Sequence, residues 1–311
     1  MVAPENINFK SIVSWNGLGL IDYSLKSKVV KLMLNVKGKN LIRKFRQVAE
    51  GLASKIAPYK GVAGIVFIGG LVRGFVDKFS DLDIIVFLSK RDEHLRKQIS
   101  DLGMDEQKRL SIDVDLEVHF LEDFKKWKWD EVDKWEFSRA EIVFDPKGEI
   151  KKVFREKLRV PKNFWIKRIV LCGEYLKWYC CPPRENVGTI AESWIERGDL
   201  VAAHHCLNYA ADLLVKIIFA LNREFLPAPK WRMFYSYSLK WQPMNYKKLI
   251  KEAMIMRSFS ARDFNRRLKT IREIWHKIVP KIEDETGLTP DQISKYYVEK
   301  ILRQTWILSR H

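Results

Sequence analysis

Asp81 and Asp83 stand one residue apart where "DLDIIVFL" opens a wholly apolar run. In a strand, residues i and i+2 share a face, which sets these two carboxylates roughly 7 Å apart. Like charges at that spacing repel unless something positive lies between them. Mg2+ suits the task, because it takes one or two carboxylates together with phosphate oxygens. About ten residues upstream, Gly69 and Gly70 have no Cβ, so their backbone can turn tightly and present N–H groups to phosphate oxygens. Arg73 and Lys78 in the intervening loop carry charge that would neutralise a triphosphate. Gly74 keeps that loop compact, and Ser80 either caps the turn with its hydroxyl or reaches a phosphate.

Further along, "SIDVDLEVHF" (111–120) alternates strictly. Ile112, Val114, Leu116 and Val118 fall on one side, and Asp113, Asp115, Glu117 and His119 on the other. If this strand pairs beside 81–88, another carboxylate joins the first two. Two ions held there would activate an attacking hydroxyl and stabilise a departing pyrophosphate. Taken singly, the features have plainer explanations: an Asp-x-Asp is commonly a solvated face, and a Gly-Gly is commonly a turn. Their order points to chemistry: strand, Gly-Gly, basic loop, Asp-x-Asp at the mouth of a buried strand, then an acidic strand.

Local patterns supply the elements that must position these groups. "NLIRKFRQVAEGLASKIA" (40–57) places Leu41, Phe45, Val48 and Leu52 at helical intervals. "PYKG" breaks the helix, and "VAGIVFIGG" reads as a strand ending in glycines. Residues 81–88 read as a second strand in which Ile84 to Leu88 are buried on both faces, and 91–109 are polar and helix-compatible. Strand patterning fades near "VFDPKGEI", and helical periodicity continues to the end. This predicts an α+β chain: a mixed-sheet catalytic domain over 1–150, led by an irregular segment 1–37 without an assigned role, then an all-α helical bundle over 151–311. In the second half Asp199 caps "LVAAHHCLNYAADLLVKIIFALN", an apolar helix with one polar stripe of His205, Tyr209, Asp212 and Lys216. "PAPKW" follows as a rigid connector, and Thr289, Pro290 and Gln292 spell the start of another helix.

Composition narrows the class. A chain of 311 residues that is 47% hydrophobic and 31% charged has the balance of an ordinary folded protein. It contains no run of eighteen apolar residues and opens without a basic stretch ahead of an apolar one, so neither a membrane span nor a secretory signal is expected. Four cysteines without CxxC spacing argue against a disulfide framework or a zinc site, and a cytoplasmic location fits. The net charge of +17 attracts polyanions. The cations are spread along the chain, as they also are on the charged surfaces of heat-adapted proteins.

"FIGGLVRGFVDKFSDLDIIVFL" resembles the nucleotidyltransferase superfamily of DNA polymerase beta, in which an apolar strand, Gly-Gly or Gly-Ser, a short loop, Asp-x-Asp and a later acid-bearing strand follow one another. Gly70 stands where many members have serine, which keeps the turn and removes a hydroxyl contact to a phosphate. "LEVHF" is similar to the third-acid strand of kanamycin-type nucleotidyltransferases, favouring Glu117 as third ligand, with Asp115 a competitor on the same face and Asp113 behind it. "RGDLVAAHHCLNYAADLLVKIIFALNREFLPAPKW" looks like the helical domain that follows the catalytic domain in small-substrate members. There it closes over the nucleotide and can supply the group that deprotonates the acceptor hydroxyl. The likeness spans roughly residues 60–240.

The resemblance implies Mg2+-dependent transfer of a nucleoside monophosphate, AMP from ATP, onto a hydroxyl with release of pyrophosphate. Asp81, Asp83 and Glu117 would hold the metal, and Gly69, Gly70, Arg73, Lys78 and Ser80 would seat the nucleoside triphosphate. Asp212 is the first choice to take the acceptor's proton and His205 the second, while the competing reading pairs Asp212 with Lys216 one turn on. Lys230 is a phosphate contact or, more simply, a surface lysine. His119 and His204 read as a strand-face residue and a hydrogen-bonded core residue. Trp127, Trp129 and Trp135 in "KKWKWDEVDKW" read as interdomain packing, with base stacking the alternative. For the acceptor, a small molecule stands ahead of a protein hydroxyl or an RNA end. The competing function is a non-catalytic nucleotide- or RNA-binding regulatory module, though a retired site has no electrostatic reason to keep crowded acids.

Overall fold

The computed structural model describes residues 38–182 and 188–302, so the expectation for 1–37 lies outside the described residues. The chain divides into two compact units between Arg159 and Val160. In the first unit, helix α1 (Ile42–Ile56) buries Phe45, Ala49, Leu52, Ala53 and Ile56. Strand β1 (Val62–Phe67) leads into a five-residue helical turn, α2 (Gly69–Arg73), which ends at Gly74 in the left-handed region, φ 89°. The tight turn expected of the glycine pair is a turn of helix that follows the end of β1. Strand β2 (Leu82–Leu88) runs back antiparallel to β1.

Helix α3 (Glu93–Leu110), capped by the Asp92 carboxylate on Leu95 N–H, carries the chain to β3 (Val114–Phe120). β3 lies parallel to β2, an arrangement that needs a crossover such as the one α3 provides. Short helices α4 (Leu121–Lys126) and α5 (Glu131–Phe137) come next. A fourth strand that the sequence reading did not separate, β4 (Glu141–Phe144), pairs antiparallel with β1. The sheet order is β3-β2-β1-β4, and α6 (Glu149–Leu158) closes the unit.

One sheet face is the apolar core: Ile65, Phe67, Ile84 and Val86 pack with α1 and with Leu95 and Ile99 of α3. Helix α3 sits so close to β3 at Gly103 that an added Cβ would stand 3.0 Å from Leu116 Cβ. On the aromatic side, Trp129 stacks on Phe137 at 4.3 Å, and Phe124, Phe137 and Phe154 crowd one another within 5.2–6.1 Å. Trp129 and Trp135 are buried inside this unit, and Trp127 is partly exposed. The tryptophans thus have packing partners within the first unit itself.

The second unit is helical: α7 (Lys162–Tyr179), α8 (Ile190–Glu196), α9 (Leu200–Leu221), α10 (Pro229–Ser236), α11 (Tyr246–Met254), α12 (Ala261–Thr286) and α13 (Pro290–Tyr296), with a π-helical turn over Tyr297–Leu302. Asp199 caps α9, and Thr289 with Gln292 forms a capping box on α13, both as their side-chain chemistry predicts. α9 is central and buries thirteen side chains, so its apolar circumference is explained by packing. Arg267 of α12 is fully buried; its guanidinium donates to Ala253 O, His204 Nδ1 and Asn208 Oδ1 at 2.6–2.9 Å. His204 is therefore a half-buried residue with both ring nitrogens hydrogen-bonded. The four cysteines are free and buried.

Candidate active site

The register of β2 with β3 decides which acids meet. Asp83 is level with Asp115, Ile85 with Glu117, and Phe87 with His119. Residues directly opposite share a face, so Asp83 and Asp115 point to the same side at the same height. Asp81 lies just before β2, exposed, two residues from Asp83. Burial first, then the Asp81 charge, pushes the Asp83 carboxyl up to about 7, with Asp115 and Glu136 adding to the rise and Arg73 opposing it. Asp115 is also raised, by burial and by Glu117, Asp81 and Asp113. Three acids thus repel one another across the ends of two strands.

Glu117 stands one pleat further on and is engaged elsewhere: its carboxylate lies 2.6 Å from His119 Nε2. That hydrogen bond holds Glu117 below the usual carboxylate range. The register therefore sets Asp83 level with Asp115, with Asp81 two residues from Asp83, and it places Glu117 one pleat on in a pair with His119. Asp113 precedes β3 and is exposed.

Gly69 makes room for Asp83. Its φ is +66°, and an added Cβ would fall 1.6 Å from Asp83 Oδ2. No L side chain fits there, for conformational and steric reasons at once. Asp83 Oδ2 is buried against this glycine with no hydrogen-bond partner. A buried carboxylate oxygen without a donor calls for an explanation, and among crowded acids a bound cation satisfies it. The donor set fits a hard, oxygen-preferring divalent ion. Among the described residues no group of three or more His, Cys, Asp or Glu side chains stands close enough to hold a metal ion as placed.

The Gly69 N–H donates at 2.7 Å to Glu136 Oε1 of α5, a residue the motif reading did not single out. Arg73 donates to both oxygens of the same carboxylate, at 2.9 and 3.2 Å, and its guanidinium also lies 5.9 Å from the Trp135 ring. Nothing in "DKWEFSRA" announces this, because the contact depends on how α5 returns to the glycine turn. Gly70 is buried, and its carbonyl accepts from Gly74 N–H. The Ser80 hydroxyl is committed to the turn: it accepts from Asp77 N–H at 3.0 Å and donates to Asp77 Oδ1 at 3.1 Å. Lys78 is exposed, 4.7 Å over the Phe79 ring.

In the second unit, Asp212 faces Lys216 at 2.7 Å and Arg232 at 3.3 Å. Lys216 also lies 5.9 Å over the Tyr209 ring. His205 and Lys230 are exposed. Among the described residues, no helix is long and apolar enough to cross a membrane.

Two family models match the chain. A nucleotidyltransferase domain covers residues 46–171, and a domain of unknown function, DUF4037, covers 129–232. No curated protein matches. Among solved structures, a nucleotidyltransferase-like protein from Exiguobacterium sibiricum is similar at 10% identity and a TM-score of 0.37, over 77% of each chain. A toxin–antitoxin with AMP-PNP is similar at 16% identity and a TM-score of 0.29, over 40% of this chain and 96% of that one. The toxin–antitoxin MntA-HpeT, in a mutant form, is similar at 14% identity and a TM-score of 0.29, over 42% and 96%. Likenesses this remote speak to no particular substrate, and none singles out the kanamycin-type branch.

Proposed function

We propose that this chain, whose residues 46–171 match a nucleotidyltransferase domain and whose motif resembles the DNA polymerase beta superfamily, transfers AMP from Mg-ATP to a hydroxyl acceptor and releases pyrophosphate. One observation carries the reading: Asp83, with an unpartnered buried oxygen lodged against Gly69, stands level with Asp115 and next to Asp81. We assign the metal to Asp81, Asp83 and Asp115. Asp115 is preferred to Glu117 because it shares the Asp83 register, whereas Glu117 is held by His119. Bound there, Mg2+ would supply charge for the phosphate oxygens and acidify the attacking hydroxyl.

The remaining work falls to positioning and charge. Gly69 N–H and Arg73 already hold one anionic group side by side, and in this reading they seat the triphosphate. Ser80 and Asp77 keep the loop between Arg73 and Asp81 in shape, and exposed Lys78 adds charge at its edge. Asp83 ligates as a carboxylate, so at neutral pH metal uptake displaces part of a proton from it. On the helical unit, Asp212 is assigned the acceptor's proton, with Lys216 and Arg232 fixing its orientation. A small-molecule hydroxyl is the acceptor this reading favours.

The test is pyrophosphate release from each of the four NTPs with Mg2+, in the presence of fractionated small-molecule and macromolecular extract. Turnover that requires an extract fraction, prefers ATP and disappears in Asp83→Asn supports the reading. Nucleotide binding without pyrophosphate under every condition refutes it in favour of a regulatory binding module.

A further inference from the structure

Glu136 stands among the groups assigned to the triphosphate, and it is itself an anion. Its Oε1 accepts from Gly69 N–H at 2.7 Å and from Arg73 at 2.9 Å, and its Oε2 lies 3.2 Å from the same guanidinium nitrogen. Both partners are largely shielded from solvent: the Arg73 side chain is 11% exposed and that of Glu136 22%. A backbone N–H and a guanidinium converging on one carboxylate is also the arrangement that grips a phosphate oxygen. Glu136 further adds to the repulsion felt by Asp83, so it pushes against the acid cluster while it holds the cation beside it.

We propose that Glu136 is a resident competitor for the triphosphate: its carboxylate fills the seat formed by Gly69 N–H and Arg73 in the nucleotide-free protein, and it must release both before a nucleoside triphosphate can be held there. This rests on the reading of the site as a nucleotide seat and adds an intrinsic gate to it. A binding-competent state that is only partly populated weakens apparent affinity by that fraction. If the carboxylate occupies the seat about nine-tenths of the time, nucleotide binds about tenfold more weakly than to an open seat. The gate also has a benefit. With no nucleotide present, Arg73 is kept aimed and neutralised, and inorganic phosphate, a weaker polyanion, is at a disadvantage against a tethered carboxylate.

Isothermal titration with Mg2+ and a non-hydrolysable ATP analogue, tripolyphosphate or adenosine separates the possibilities. The proteins compared are wild type, Glu136→Gln, Glu136→Ala, and Glu122→Gln as a control for net charge. Glu122 is an exposed residue paired with Lys125. The expected result is tighter binding of the ATP analogue and of tripolyphosphate to both Glu136 variants, by about three- to thirtyfold. Adenosine affinity should stay unchanged, and the control should bind like wild type. Weaker binding in both variants would overturn the proposal and make Glu136 a buttress that positions Arg73. Unchanged binding with a lost turnover rate would overturn it in favour of a direct role in the reaction. If wild type and variants all keep their melting profiles and none binds tripolyphosphate or the ATP analogue, the reading of the seat falls and the gate falls with it. Tight wild-type binding unaffected by Glu136 removes the gate alone.

Discussion

Replacing Asp83 with Asn should abolish turnover and, in the metal-free protein, make the fold more stable. Burial and the Asp81 charge raise this carboxyl from 3.8 to about 7. Its folded-state value lies above its unfolded one, so the favourable contribution of the protonated acid is complete below about pH 4 and is lost as pH rises through about 7. At pH 8 ionised Asp83 therefore weakens the fold by about 4 kcal/mol relative to an uncharged group, at about 1.36 kcal/mol per tenfold change. At pH 5 about 2 kcal/mol of that penalty is present. Side-chain relaxation and water entry reduce both figures, and a net gain of about 2 kcal/mol at pH 8 corresponds to about 4–8 °C in Tm. The Asn side chain has the shape of the carboxylate, so it keeps the lodging against Gly69. Scanning calorimetry in EDTA at pH 5 and pH 8 reads the effect, and added Mg2+ should then stabilise wild type but not the variant. An Asn variant no more stable than wild type at pH 8, or one equally stabilised at both pH values, would refute the account of Asp83 as a strained, cation-seeking acid.

Asp115→Asn should lower turnover by at least about a hundredfold, the scale on which groups around a metal act, while Glu117→Gln stays within about tenfold. Steady-state rates showing the reverse order would return the third-ligand role to Glu117. Gly69→Ala should destabilise the first unit by about 2 kcal/mol or more. Because the clash is with Asp83 Oδ2, adding Asp83→Ala should recover part of that loss in a denaturant double-mutant cycle, and strict additivity would show the strain lies elsewhere. Asp212→Asn should reduce turnover by about 10² or more with nucleotide affinity unchanged. Full activity would leave the residue only its ion pairs with Lys216 and Arg232. Arg267→Lys should cost about 2–4 kcal/mol in urea unfolding, since lysine cannot reach Ala253 O, His204 and Asn208 together; a loss under 1 kcal/mol would mean that the buried network contributes little.

Much of this arrangement was legible before any coordinates, for physical reasons. Strand geometry at Asp81-Leu82-Asp83 and strict alternation over 111–120 told which residues share a face, and short-range chemistry gave the caps at Asp199 and Thr289. Two limits were equally physical. Which acid of β3 meets Asp83 is a matter of register, which the alternation of β3 alone leaves open between residues two apart. The Glu136 contact joins residues 67 apart in sequence, and no local spacing encodes it. β4 escaped because a four-residue strand between two short helices carries too little periodicity to stand out.

The close seating of α3 on β3 makes Gly103 a vernier for the chemistry. β3 is an edge strand carrying acids at 115 and 117, with Asp113 just ahead of it, so sliding it by one pleat would swap one carboxylate for the next while preserving the buried side. The close packing of Gly103 against Leu116 opposes such a slide. A methyl group added there would press on Leu116, on the far side of the strand from Asp115 and Glu117, without touching either acid.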